Sequence, residues 1–167
     1  MSYYKDPCFD EFEMEDGLDC ECSSCHEKKF PRSRAIALQA VSLVQQTVAA
    51  GAAIPFDTNL VSSGFGIIHV PGGTDFNIVK PGIYRVTFTG SADPSVITAA
   101  GVAIAVNGSI IPGTTVTETV AVGSTAALAT QALIQVTPFM NTVVTIVNPT
   151  TGAEVFTNPN IIIERIG

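Results

Sequence analysis

The chain contains no tryptophan, and after residue 34 it has no cysteine and very few charged side chains. The 133 residues from 35 to 167 carry three bases and six acids, whereas the first 34 carry five bases, nine acids and all four cysteines. This break predicts two parts: a flexible acidic connector over residues 1–34 and a folded domain over residues 35–167. A hydrophobic content of 46% excludes disorder of the whole chain.

Clusters of basic residues are also missing, and the formal net charge is −7. Because binding of phosphate needs lysines and arginines on one face, nucleic acid and anionic membrane surfaces are excluded as partners. The most apolar window, residues 96–106, is far shorter than the about 20 residues that span a bilayer. Residues 1–17 are rich in acids and do not resemble a signal peptide, so we expect any extracellular location to be reached without general secretion.

No catalytic motif stands out. His69 is the one histidine after residue 34 and lies in the apolar run 66–70, which predicts a buried structural imidazole rather than a general base. There is no nucleophile motif, metal-ligand triad or phosphate-binding glycine loop. The sequence therefore predicts a protein that is not an enzyme and holds no cofactor or metal.

Short β-branched runs separated by turn signals fill residues 35–167. Residues 83–89 alternate, with Tyr84, Val86 and Phe88 on one face. Asn107-Gly108 between two apolar runs predicts a β-hairpin, because both central residues of a type I′ turn need positive φ. The other predicted turns are Pro71-Gly72-Gly73, Lys80-Pro81-Gly82, Pro112-Gly113, Asn148-Pro149 and Asn158-Pro159. This pattern indicates an all-β sandwich or barrel. Residues 35–49 fit either a helix or a strand by periodicity alone.

Several predicted strands are apolar on both faces, whereas an antiparallel sheet of a monomer usually keeps one face polar. We therefore expect the second face to be buried against further copies of the chain. The alternative is a sandwich whose faces are covered by its own loops. The residues predicted to form this interface are Leu133, Val143, Val147, Ile162 and Ile166.

All four cysteines lie in the connector, at Cys8, Cys20, Cys22 and Cys25. They cannot form a disulfide with the domain of their own chain, since that domain has no cysteine, so cross-links between connectors of different copies are favoured. Zinc binding with His26 is an alternative, but the ligand spacing lacks the two separated pairs of a usual structural site. Unpaired thiols are the third possibility.

The connector also carries large apolar side chains between its acids. Tyr3, Tyr4, Phe9 and Phe12 are the kind of anchors that a disordered segment buries when it folds onto a partner. We expect them to dock the connector on a neighbouring copy. The alternative is a leader whose aromatic side chains bind nothing.

Four segments carry a family resemblance: residues 46–57 (QTVAAGAAIPFD), 81–88 (PGIYRVTF), 106–113 (VNGSIIPG) and 160–166 (NIIIERI). In order and spacing they resemble the C-terminal domain of the collagen-like exosporium glycoproteins of Bacillus spores, a trimeric jelly roll of the C1q/TNF type. The resemblance implies an antiparallel jelly-roll sandwich, a strand within residues 35–49 and a homotrimer.

Two features depart from that family, since the chain has no Gly-X-Y repeat and no proline-rich targeting leader. The cysteine connector takes their place, and in this the chain is similar to spore-appendage subunits that join a jelly roll to an N-terminal cysteine connector. The resemblance implies a self-assembling structural subunit of a spore-surface fibre, in the exosporium or an appendage. Its partners would be other copies and spore-surface anchor or tip proteins. The alternative function is a ligand-binding, adhesive C1q-like head on the spore surface.

Overall fold

The structure is a computed structural model that describes residues 35–94 and 99–167. These residues form strands and no helix, which confirms the predicted all-β class. The strands are β1 (Ala37–Val41), β2 (Gln46–Val48), β3 (Thr58–Ser63), β4 (Ile67–Ile68), β5 (Phe76–Ile78), β6 (Gly82–Pro94), β7 (Ala99–Val106), β8 (Ser109–Ile110), β9 (Val116–Thr119), β10 (Ala126–Val136), β11 (Thr142–Val147) and β12 (Glu154–Arg165).

The strands form two antiparallel sheets. The first, which we call the β6 sheet, has the order β10-β6-β12-β1-β3, and β2 pairs with β12. The second, the β7 sheet, has the order β4-β5-β11-β7-β8, and β9 pairs with β7. Since β12 lies between β1 and β6, the last strand is central in its sheet, and long connections pass between the two sheets. The predicted jelly-roll sandwich is confirmed.

The core lies between the inner faces of the two sheets. In β6 the alternation predicted from the sequence is present, with Tyr84, Val86 and Phe88 fully buried and Arg85 exposed. From the other sheet Ile104 and Ile146 are fully buried against the same cluster. Burial of apolar side chains by both sheets is the main stabilising term of such a sandwich.

Two local predictions are settled by the strands. Residues 35–49 contain β1 and β2 and no helix, as the family resemblance implied. The Asn107-Gly108 turn joins β7 to β8, and its φ angles of 50° and 81° are those of a type I′ hairpin. The Asn107 side chain also accepts a hydrogen bond from the Val143 N–H at 2.8 Å, which ties the hairpin to β11.

The turn predicted at Asn158-Pro159 is wrong. Strand β12 continues through both residues, and its register against β6 shifts between Thr157 and Asn160. Asn158 has a φ of 49°, and the Pro159 carbonyl accepts a hydrogen bond from the Ser42 N–H at 3.0 Å. A β-bulge accommodates a proline inside a paired strand because the missing N–H falls where the ladder is interrupted.

Strand register defines the two ends of the sandwich. The Lys80 end is where β6 begins, beside the last residue of β10, and where β12 finishes beside β1. It carries the loops 64–66, 79–81, 107–108 and 137–141. The Glu118 end is where β6 finishes, and it carries the loops 42–45, 49–53 and 120–125. The Arg165 N–H donates to the Ile36 carbonyl at 2.8 Å, so residue 35, which joins the domain to the connector, lies at the Lys80 end.

Candidate self-association surfaces

The outer face of the β6 sheet exposes large apolar side chains. Leu133 on β10 is 64% exposed and Ile162 on β12 is 36% exposed, because each points away from the core in the strand alternation. Ile166 follows β12, and its N–H donates to the carbonyl of the exposed Ile83 at 2.8 Å. Three of the five predicted interface residues therefore share one face.

One ion pair lies among these side chains. Arg85 Nη1 is 3.1 Å from Glu164 Oε1 on the neighbouring strand, and both side chains are about half exposed. Leu133 is the cross-strand neighbour of Arg85 on the other side. An exposed pair of this kind contributes only about 0–1 kcal/mol to stability. Since the charges of Arg85 and Glu164 cancel, the pair adds no net charge to the face.

Uncharged polar side chains on the same face bond to one another across strands. Gln39 Nε2 donates to Asn160 Oδ1 at 3.0 Å, and Asn160 Nδ2 donates to Thr89 Oγ1 at 3.3 Å. Burial of these groups against a second copy leaves their hydrogen bonds intact, so the desolvation cost that opposes burial of polar groups is small. The polar side chains of this face are therefore paired within one copy.

The other two predicted interface residues lie elsewhere. Val143 and Val147 are on β11 of the β7 sheet, point outward and are only partly exposed. The structure thus separates the five residues into two groups on opposite outer faces. It does not test whether either group binds another copy, and both assignments stay predictions.

The loops at the two ends expose further apolar side chains that the sequence analysis did not single out. At the Lys80 end Phe139 is fully exposed with a φ of 64°, and Met140 and Phe65 are also exposed. At the Glu118 end Leu43 and Val44 are exposed. A bulky side chain at positive φ is rare, so the backbone at Phe139 is strained. In the sequence Phe139 follows Pro138 in the segment between two predicted strands, and this loop position is the signal that could have identified it as exposed.

A buried polar network lies inside the Glu118 end. Glu154, the first residue of β12, is fully buried, and both its carboxyl oxygens are 3.1 Å from the Gly101 N–H. Thr150 Oγ1 is 2.6 Å from Glu154 Oε1 and 2.7 Å from Oδ1 of the buried Asn148. Burial raises the pKa of Glu154 above its ordinary value, and it outweighs the hydrogen bonds from Thr150 and Gly101 that lower it.

His69 is buried, as predicted, between aromatic rings. It stacks on Phe76 with a centroid distance of 4.2 Å, and its Nδ1 lies 2.7 Å from Asn59 Oδ1. Its Nε2 lies 3.2 Å from the Gly73 carbonyl oxygen. Burial lowers the pKa of His69, more than the Gly73 carbonyl and the Asp75 charge raise it. The ring contributes to packing and local hydrogen bonding.

The connector residues predicted to dock or to cross-link lie outside the described residues. These are Tyr3, Tyr4, Phe9 and Phe12, and the cysteines Cys8, Cys20, Cys22 and Cys25. Within residues 35–94 and 99–167, no group of three or more His, Cys, Asp or Glu side chains is placed to hold a metal ion. The same part of the chain has no helix long and apolar enough to cross a membrane.

Comparison with known proteins identifies the fold. No family model matches the sequence, and no curated protein matches it either. Among solved structures, the globular domain of zebrafish complement 1qA protein has a TM-score of 0.62 at 11% identity, over 79% of this chain and 98% of its own. Murine APRIL at pH 5.0 has a TM-score of 0.61 at 10% identity, over 80% and 99% of the two chains. Eiger TNF from S. frugiperda has 0.57 at 11% identity, over 80% and 94%.

None of these three proteins is named as an enzyme; that this chain is not one stays a prediction. Identities near 10% define the fold alone. The described residues of this chain form a jelly roll of the C1q/TNF type.

Proposed function

We propose that this chain is a structural, self-assembling subunit of a bacterial spore-surface fibre or appendage. Three copies associate through the outer face of the β6 sheet, and the resulting trimers are joined through their N-terminal connectors. The observation that carries the proposal is a sheet face that exposes Leu133, Ile162 and Ile166 around the mutually neutralising Arg85–Glu164 pair, on a C1q/TNF-type fold. Exposed apolar patches of this kind mark protein interfaces.

The β6 sheet is preferred over the β7 sheet because its apolar side chains are the more exposed. Val143 and Val147 are already partly covered in a single copy, so burying them again removes less apolar surface from water. In a ring of three copies each copy contacts its two neighbours around the axis, and the exposed apolar side chains with the neutralised Arg85–Glu164 pair offer those neighbours a surface that can be buried at little electrostatic cost.

The position of residue 35 supports joining of trimers through connectors. In a trimer with its three-fold axis along the sandwich, all three connectors start at the Lys80 end. Each then has a neighbouring trimer within reach, where Tyr3, Tyr4, Phe9 and Phe12 dock. Cys8, Cys20, Cys22 and Cys25 fix the junction by disulfides between connectors. The thiols stay reduced in the mother cell and are oxidised to disulfides by an oxidant outside the cell, such as dioxygen, after the spore is released.

Deletion of residues 2–25 tests the connector. The shortened chain is expected to give soluble trimers that do not polymerise, as measured by light scattering with size-exclusion chromatography and by negative-stain electron microscopy. A full-length control with all four cysteines changed to serine separates docking from cross-linking: it is expected to form fibres that dissociate on dilution. Filaments of the deletion variant would contradict the proposal.

The exposed Phe139-Met140 loop favours a second candidate, an adhesive head that binds a ligand at the Lys80 end. A pull-down of glycans or proteins with Phe139→Ser as the negative control distinguishes it. Specific capture that the variant loses, by a chain that forms no fibres, would favour the head.

A further inference from the structure

We propose that the two ends of the sandwich bind each other head to tail, with the basic Lys80 end of one copy against the acidic Glu118 end of the next. This inference deepens the fibre proposed above and rests on it. It gives the folded domain, as well as the connector, a direct role in the junction between trimers, and it gives the fibre a polarity.

The basic charge lies at one end. Lys80 immediately precedes β6 and Arg165 is the last residue of β12, so both are at the Lys80 end. The third base of the described residues, Arg85, is paired with Glu164. In the sequence, Lys28, Lys29, Arg32 and Arg34 lie within seven residues of residue 35, which is at this same end.

The acidic charge lies toward the other end. Asp57 precedes Thr58, which pairs with Val41 where β1 finishes. Glu118 pairs with Ala100 near the start of β7. Asp93, the last residue but one of β6, also lies in this half, whereas Asp75, just before β5, is level with Thr145 and Ala105 and lies nearer the Lys80 end. With the Arg85–Glu164 pair and the buried Glu154 set aside, the described residues carry two bases and one acid, Asp75, toward the Lys80 end and three acids toward the Glu118 end.

Each end also offers apolar side chains for a contact. Phe65, Phe139 and Met140 are exposed at the Lys80 end, and Leu43, Val44 and Val122 are exposed at the Glu118 end. In such a contact the apolar groups supply most of the binding free energy, and the charges select orientation. Contacts between two Lys80 ends or two Glu118 ends place like charges together, so only the head-to-tail order is favoured.

The first test is the salt dependence of assembly. Full-length protein under reducing conditions is followed by light scattering and analytical ultracentrifugation from about 0.01 M to about 1 M NaCl, where the Debye length falls from about 30 Å to about 3 Å. End-to-end association of trimers is expected at low salt and is expected to weaken as salt is added. No end-to-end association at low salt, or association that strengthens steadily with salt, would overturn the proposal.

The second test is a pair of charge reversals, Lys80→Glu and Glu118→Lys. Each variant alone places like charges at every junction, and the concentration at which assembly begins is expected to rise about tenfold. An equal mixture restores assembly, because Glu at position 80 of one variant then faces Lys at position 118 of the other. Lys80→Arg and Glu118→Asp keep the charges and serve as matched controls that assemble like the parent. If both variants assemble like their controls, the contact does not exist.

The connector is the competing occupant of the Lys80 end, since residues 1–25 carry eight acids and one base. The full-length variant Glu11→Gln/Glu13→Gln distinguishes the connector from the Glu118 end of the next copy as the occupant. If it loses the salt dependence while Glu118→Lys keeps it, the connector occupies the end and the proposal is overturned. If fibres form only with the connector and are unaffected by Lys80→Glu and Glu118→Lys, this inference is wrong and the proposed function stands. If the connector deletion still forms fibres and Lys80→Glu abolishes them, this inference stands and the proposed joining of trimers through connectors is wrong.

Discussion

Glu154 is a buried acid whose surroundings favour its protonated form. The Thr150 hydroxyl has one proton, and oxygens of Glu154 and Asn148 both lie within 2.7 Å of it. When Glu154 is protonated it donates to Thr150 Oγ1, which donates in turn to Asn148 Oδ1, while the Gly101 N–H bonds the other carboxyl oxygen. When Glu154 is ionised, this one proton can serve only one of the two contacts, and Thr150 Oγ1 then faces one oxygen without a hydrogen bond, although the Thr150 N–H still donates to Asn148 Oδ1 at 2.9 Å.

The change Glu154→Gln is therefore expected to stabilise the protein near pH 7, by on the order of 1 kcal/mol. The pKa of Glu154 is raised in the folded state, so its contribution to stability is full below the ordinary value of 4.5 and is lost as pH rises through the folded value. The free energy of unfolding, measured by denaturant titration at several pH values, should differ between parent and variant near pH 7. The difference should vanish near pH 4. A variant that is less stable than the parent at pH 7 would contradict this account.

At the scale of the element, the hairpin between β7 and β8 depends on backbone conformation rather than on packing. Gly108 has a φ of 81°, and a Cβ atom added there would meet no atom within 4 Å. The cost of a side chain at this position is therefore conformational strain alone.

Gly108→Ala is expected to lower the free energy of unfolding by about 1–2 kcal/mol, the cost of the left-handed conformation for an L-residue. Gly108→Asn is the matched control and should lose less, because asparagine tolerates that conformation. Thermal or denaturant unfolding of both variants measures the difference. Equal losses in the two would show that something other than φ limits this turn.

At the scale of the whole molecule, the two outer faces of the sandwich compete as interfaces between copies. Leu133→Asp places a charge on the outer face of β10, beside Arg85, and is expected to convert trimers to folded monomers, because a charge buried in the interface opposes association. The mass in solution under reducing conditions, measured by light scattering, reports the outcome.

Two control variants make that test specific. Val70→Asp adds the same charge to an exposed loop and should leave the trimer intact. Val143→Asp adds it to the β7 sheet and should also leave the trimer intact if the β6 sheet forms the interface. Monomers from Val143→Asp and trimers from Leu133→Asp would reverse the assignment.

The sequence by itself determined what depends on local pattern. Alternation over residues 83–89 and the Asn107-Gly108 pair specify a strand and a hairpin, because side-chain period and turn φ are properties of a few adjacent residues. The separation of cysteines and charges at residue 34 is likewise in the sequence alone. Hydrophobic periodicity did not assign residues 35–49, because the spacing of their apolar side chains fits both a helix and a strand.

Only the tertiary structure decided which residues meet. Leu133 and Ile162 share a face, and Val143 lies on the opposite one, because pairing of β10, β6 and β12 joins segments far apart in the chain. The same long-range register absorbs Asn158-Pro159 as a bulge, buries Glu154 and sends Lys80 and Glu118 to opposite ends. Such placements follow from how all the strands fit around one core, and no short stretch of sequence contains that information.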